Sequence, residues 1–414
     1  MQVQVNKDGL DRAHKVIVWN LPVRVFHWML VGCFVTAWLT RDDRYLDIHV
    51  FAGYLMGGLI LFRLVWGVIG CSYARFRDFA FNWNEVWGYI KKVLKGCPSR
   101  FIGHNPAGSW AIYLLLSLGG MIAISGLLTL GGEEQHGPLA GLLNYPQGAV
   151  AHDLHELLAW IMLGVVVIHL LGVLVETVLH RENLIGSMIT GSKYVPSDVI
   201  SVASRKPTAA LMLAVMVTAG ISWFYGYLVE TPEQPYRPFV GQQLPDNRLW
   251  REECGACHLA FHSSLLPARS WQAMMDGQSS HFGEDLYLEQ DAIDEIQTFL
   301  VDNSAEKMLT EAAWKINQSI PKADIPLRVI ETRYWMDKHQ EISAQIWEHP
   351  IINGKINCAA CHLDADDGTF EDAAMRIPAE ADKSFISMFM KILKGFAHYF
   401  SFSSSPPNTL EDKS

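Results

Sequence analysis

The stretch "DLHELLAWIMLGVVVIHLLGVLVETV", residues 153–178, decides how this chain is read. It is long and apolar enough to cross a bilayer as one helix, which takes roughly 20 residues. It also carries two histidines, His155 and His169, 14 residues apart. At about 100° per residue that spacing returns to within about 40° of the same face, with about 21 Å of rise. One helix therefore presents two imidazoles, one toward each membrane surface. Ionisable groups inside a span are rare and usually mark function. A lone buried histidine is more often a hydrogen-bonded core residue, so the reading depends on whether partners exist. His152 lies nearby, but its spacing to His169 puts it roughly 100° off that face, and His155 is preferred.

Four more stretches approach the same length: about 23–40, 48–70, 109–130 and 207–229. The first is short and is read as a retained helix that starts insertion. Basic residues orient the set. The loop 71–108 holds Arg75, Arg77, Lys91, Lys92, Lys95 and Arg100, and the loop 179–206 holds Arg181, Lys193, Arg205 and Lys206. The loop 131–152 has Glu133 and Glu134 and no Lys or Arg. The positive-inside rule places the first two in the cytoplasm. Five spans then put the N-terminus inside and residues 231–414 outside.

This topology supplies partners for the two histidines. The first helix carries His27 near its cytoplasmic start, and the second carries His49 near its outer start. The level-matched pairs are His49 with His155 and His27 with His169. Each pair suits one haem iron held from both sides by neutral imidazoles, a ligation that favours electron transfer. Arg63 follows His49 by 14 residues, so it shares that face at the depth of the inner pair. It is a candidate for a haem propionate or a quinone oxygen, against the alternative of a snorkelling side chain near a helix end. Arg24, three residues before His27, is a second candidate of this kind. Gly53 and Gly57, one and two turns after His49, leave room for a flat cofactor or for helix packing.

The outer part carries a different signal. "CGACH" (254–258) and "CAACH" (358–362) are each two cysteines two residues apart followed at once by histidine, the attachment pattern of a c-type haem. Cys254, Cys257, Cys358 and Cys361 form the thioether links, and His258 and His362 are the proximal ligands. The opposite ligands are open to His262, His281, His339, His349 and several methionines. Such haems are attached outside the cytoplasm, so motif and loop charge agree on the side. Of the 414 residues, 231–414 contain 16 Lys and Arg against 28 Asp and Glu. That acidity suits either a basic partner or plain solubility.

Several motifs in order carry a family likeness. "PVRVFHW", "IHVFAGYLMGGLILFRLVWGVIG", "GHNPAG" (103–108), "HELLAW" and "ENLIGSMITGSK" resemble the bacterial cytochrome b561 family and the b-type cytochrome subunit of nickel-iron hydrogenases, over about 15–195. The resemblance implies a four-helix di-haem core exchanging electrons with membrane quinone. "LLPARSW", "HFGEDLYL", "TRYWMDKH" and "NCAACH" resemble a di-haem cytochrome c family related to partners of a small oxygen-binding monohaem cytochrome, over about 240–378. That resemblance points to His281 and His339 as distal ligands, without saying which serves which haem.

The expectation is therefore an all-α chain. A cytochrome b561-like membrane domain fills 1–206, with two haems b. A fifth span and linker fill 207–230, a mostly helical periplasmic domain with two haems c fills 231–380, and an amphipathic tail helix with a disordered end fills 381–414. The protein would sit in a bacterial inner membrane and pass electrons between quinone and a soluble periplasmic cytochrome c. The alternatives are a terminal haem enzyme acting on oxygen, nitric oxide or superoxide, and the membrane anchor of a larger oxidoreductase. No nucleotide-binding glycine fingerprint, hydrolytic triad or nucleic-acid signal is present.

Overall fold

The computed structural model describes residues 14–97, 99–195, 207–228 and 244–377. The expected tail helix at 381–414 and most of the linker lie outside them. The chain clusters into two compact units, the first running up to Leu244 and taking in Lys307–Trp314 and Glu371–Ala373, the second made of the other residues from Pro245 on.

The first unit is a helical bundle: α1 (Leu21–Leu39), α2 (Leu46–Ile69), α3 (Trp83–Leu94), α4 (Pro106–Gly132), α5 (Tyr145–His180), α6 (Leu184–Thr190) and α7 (Pro207–Leu228). Four of these, α1, α2, α4 and α5, are long and apolar enough to cross a membrane. The stretch expected as a fifth span is helical, as α7, but it is not one of these four; its Leu213 and Val217 are buried in the bundle core. Its Phe224 stacks on Phe51 at 4.3 Å.

Helix starts are written locally. Asn20, Asn105 and Asn144 each cap a span, accepting from the backbone N–H three residues on, and each is followed by Pro within two positions. An Asn oxygen satisfies one orphan donor, and Pro at the first turn lacks the N–H that would be unpaired there. α5 has 36 residues, about 54 Å by helical rise, so it extends well beyond the apolar run in its sequence.

α4 and α5 pack side by side as an antiparallel hairpin. It closes on glycine: a Cβ on Gly132 would lie 2.5 Å from the Gly148 Cα. Only hydrogen fits there, so the backbones touch, as small residues permit between membrane helices. By contrast, α5 has no extended packing against α1 or α2; its close neighbour is α4.

Two features depart from the sequence expectation. The loop 71–108 contains α3, an amphipathic helix whose capping box joins Asn82 and Glu85 and which buries Val86 and Tyr89. A short antiparallel ribbon pairs His14–Ile17 (β1) with Ser192–Val195 (β2), so the first unit is not purely helical.

The second unit consists of short helices and turns: α8 (Arg248–Cys254), α9 (Ala268–Asp276), α10 (Gln290–Asp302), α11 (Glu311–Ser319), α12 (Arg333–His339) and α13 (Ala344–Trp347). Its apolar clusters are small. Trp250, Leu266, Trp271, Met275, Ile296 and Leu300 form one, and Leu265, Ile316 and Ile320 the other.

Candidate functional site

The histidines predicted from helix spacing are brought together across the bundle. His49 on α2 faces His155 on α5, with ring centroids 6.0 Å apart. Two imidazoles bound to one metal from opposite sides, each by a bond of about 2 Å, have centroids roughly 6 Å apart. The rings are therefore at ligation distance, and too far apart to bond each other.

Their tautomers are fixed by the backbone. His49 Nδ1 lies 3.0 Å from the Ala37 carbonyl, and His155 Nδ1 lies 3.0 Å from the Ile122 carbonyl. A carbonyl only accepts, so both Nδ1 atoms carry hydrogen and both Nε2 lone pairs are left to bind. A second partner that orients a metal-binding imidazole in this way is the usual companion of a ligand. Ser125 adds a contact at 3.1 Å to His155 Nδ1. Gly126 leaves room for the ring, since a Cβ there would sit 3.1 Å from His155 Cε1. Gly53 has open space where its Cβ would project.

His27 and His169 are close enough to interact electrostatically. The His27 ring packs edge-on against Trp28 at 5.1 Å. Its Nδ1 is buried without a hydrogen-bond partner among the described residues.

Arg63 is 3% exposed. Its guanidinium lies 4.7 Å from the Phe76 ring centroid, and its Nη1 is buried without a hydrogen-bond partner among the described residues. A buried cation with an unmet donor is costly, so an anionic or carbonyl oxygen fits this place. Arg24 differs: it donates to the Ile189 carbonyl at the end of α6. His152 is turned away and pairs with Glu133 at 2.7 Å. His104 is packed between Trp19 and Phe79, at 4.6 and 4.5 Å. Burial holds its pKa down to about 3, so it stays neutral.

The second unit repeats the spacing twice. His258 and His281 have ring centroids 6.5 Å apart, and His339 and His362 are 6.2 Å apart. Each CxxCH histidine thus faces a different one of the two distal candidates, which sequence alone left unassigned. His258 Nδ1 lies 2.7 Å from the Leu259 carbonyl, and His339 Nδ1 lies 2.8 Å from that of Trp335. In both, the Nε2 lone pair is again left free to bind. Trp335 stacks on His339 at 4.2 Å, and Trp347 lies 6.0 Å from the same ring. This aromatic support was not foreseen, although both tryptophans stand in "RYWMDKH" and "QIW" around His339. Burial lowers the pKa of His281 and of His339, which favours the neutral form that can bind a metal.

His262 is excluded by its own hydrogen bonds. Its Nε2 lies 3.0 Å from the Pro245 carbonyl, and its Nδ1 lies 3.0 Å from Ser264 Oγ. Both nitrogens are engaged, so the ring braces the fold. Met275 is likewise buried in the apolar core.

The cysteines separate haem attachment from redox chemistry. Burial pushes the Cys254 and Cys358 thiols up to about 11, opposite to the depressed values of a catalytic CxxC pair. Among the described residues, no three His, Cys, Asp or Glu gather closely enough to hold a bare metal ion. Facing imidazole pairs offer two ligands, and a porphyrin supplies the other four. The residues therefore fit haem and do not fit a free cation.

Comparison with known proteins agrees. Residues 18–191 match the family described as prokaryotic cytochrome b561, and residues 250–370 match the dihaem cytochrome c family. The chain is 26% identical over 228 residues to a probable Ni/Fe-hydrogenase B-type cytochrome subunit of Azotobacter vinelandii, a match covering 46% of this chain and 95% of that protein. It is 24% identical over 215 residues to a protein of that kind from Escherichia coli, covering 44% and 92%. A solved diheme cytochrome c from Rhodobacter sphaeroides is 37% identical, covering 31% of this chain and 100% of that one at a TM-score of 0.28. The chain joins a prokaryotic cytochrome b561 domain to a dihaem cytochrome c domain.

Proposed function

We propose that the protein is a transmembrane electron conduit between the membrane quinone pool and an acceptor outside the cytoplasm, through two haems b and two haems c. The observation that carries this reading is the repeated imidazole pair at 6.0, 6.5 and 6.2 Å. His49 with His155 and His27 with His169 hold the haems b. His258 with His281 and His362 with His339 hold the haems c, tethered through Cys254, Cys257, Cys358 and Cys361. Haem supplies reversible one-electron chemistry, and the protein supplies ligands, burial and spacing.

Filling both axial positions with imidazole leaves no open iron coordination site. This favours electron transfer over a terminal reaction with oxygen, nitric oxide or superoxide. The buried Nη1 of Arg63 meets a haem propionate or a quinone oxygen on the cytoplasmic side. Loop charge supports a periplasmic second unit, whose acidity would speed encounter with a basic soluble cytochrome c. The names of the hydrogenase-subunit relatives favour a second reading, a membrane electron-transfer partner of a larger oxidoreductase. Co-purification of a catalytic subunit would support that reading.

Pyridine haemochrome analysis of the purified chain tests the scheme. Two haems b and two haems c per chain are expected, all low-spin and unreactive with carbon monoxide. Any other stoichiometry, or a carbon monoxide adduct at full occupancy, sinks it.

A further inference from the structure

A line of proton-carrying side chains ends α5 and has no part in holding haem. Glu176 follows His169 by seven residues, within about 20° of the same face and about 10.5 Å further along. Its side chain is 15% exposed. Two groups meet its carboxylate. Tyr89 of α3 donates its hydroxyl to Oε1, and His180, the last residue of α5, places Nε2 3.2 Å from Oε2. Tyr89 is buried, and the Asn105 side chain at the start of α4 also bonds its hydroxyl. Asn105 adjoins His104, which feels the charge of Arg63.

The other charged groups here are Lys193, Glu182 and Arg100. Lys193 and Arg100 both pair with Glu182, at 3.3 and 3.4 Å, and Lys193 is within electrostatic range of Glu176. Burial, then the hydrogen bond to Glu176, push the Tyr89 hydroxyl well above its usual range, so it stays protonated. A hydrogen bond that merely fastens α3 to α5 needs no more than a neutral acceptor. An acid in that place, with a histidine one turn beyond it toward the basic loops, is more than a fastening requires.

We propose that Glu176, with Tyr89 and His180, is the proton-exchange site linking the cytoplasmic face to quinone chemistry at the inner histidine pair. This rests on the quinone reading above and deepens it. Oxidation of a quinol breaks two O–H bonds and releases two electrons and two protons. The electrons reduce two ferric irons to ferrous. Each proton in turn joins the Glu176 carboxylate and leaves to water through the His180 imidazole. Quinone reduction runs the same steps backward.

The test uses the full chain in proteoliposomes with a short-chain ubiquinol, after haem content has been matched to wild type. Three quantities are read across the neutral pH range: the rate of b-haem reduction by quinol, its solvent deuterium isotope effect, and the reduced-minus-oxidised infrared spectrum. E176Q should slow quinol-driven reduction at least about tenfold, flatten its pH profile and remove a carboxyl band. Reduction by dithionite should not change, and E176D should restore part of the rate. Wild-type rate, pH profile and infrared bands in E176Q would overturn the relay alone. A wild-type chain that quinol cannot reduce would instead overturn the quinone reading. Should E176Q fail to assemble, H180Q is read in the same way: slowing and a shifted pH profile support the relay, and unchanged behaviour overturns it.

Discussion

The two units bring imidazoles to nearly the same separation by opposite means. In the membrane unit, His49 and His155 stand on long rigid helices, and helical pitch sets their depth. The helices that bear them are not packed closely on one another, which would leave room between them for a cofactor. In the outer unit, His258, His281 and His362 lie outside the helices, the last two in isolated β-bridges, and His339 ends a seven-residue helix. Its apolar clusters are small, so we expect order there to depend on covalent tethering of the haems. Where the solvent is lipid, the backbone bonds itself and the helices stand without the ligand. Where the solvent is water and the core is small, binding energy of the prosthetic group is also folding energy.

If this contrast holds, the largest effect belongs to the outer unit. Replacing Cys254 and Cys257 together with alanine should remove one haem c and leave residues 245–377 open to limited proteolysis, while both haems b remain. An intact, protease-resistant outer unit would break the comparison. In the membrane unit, His155→Ala should halve the haem b content by haemochrome assay and leave the helix content by circular dichroism unchanged. Collapse of the bundle in that variant would equally break it.

Smaller changes sharpen the comparison. Gly132→Leu forces apart backbones now in contact, and should lower resistance to detergent unfolding by about 1–3 kcal/mol. Arg63→Gln removes a buried positive charge and should lower the midpoint potential of one haem b. A shift on the order of 60 mV, equal to a tenfold change in the one-electron equilibrium, is expected in a spectroelectrochemical titration. Asn82→Ala removes the cap of α3 and should cost about 1 kcal/mol, with both haems b retained.

Much was legible before any coordinate. The CxxCH motifs needed only adjacency, since the chemistry of attachment is local. The pairing of His49 with His155 followed from span order and a 14-residue spacing, because a membrane helix is nearly straight and its pitch is constant. Other features depended on contacts that no spacing encodes. "WNEVWGYIKKVL" read as a basic loop, yet its Asn82–Glu85 capping box and its buried Val86 and Tyr89 make it α3. Glu176 stood in plain view within an apolar run, and its distance of seven residues from His169 was a usable signal. Its partner Tyr89 is 87 positions away and gave none.

By itself, the sequence determined the two-part organisation, the apolar spans, the haem attachment motifs and the candidate imidazoles, because each depends on composition or on a short fixed period. Only the tertiary structure decided that His258 faces His281 while His362 faces His339, that His262 has both nitrogens bonded, and that Arg63 retains an unmet donor. Those outcomes depend on how turns and separate helices converge in space. Chain order does not fix that convergence, and packing, burial and hydrogen-bond satisfaction do.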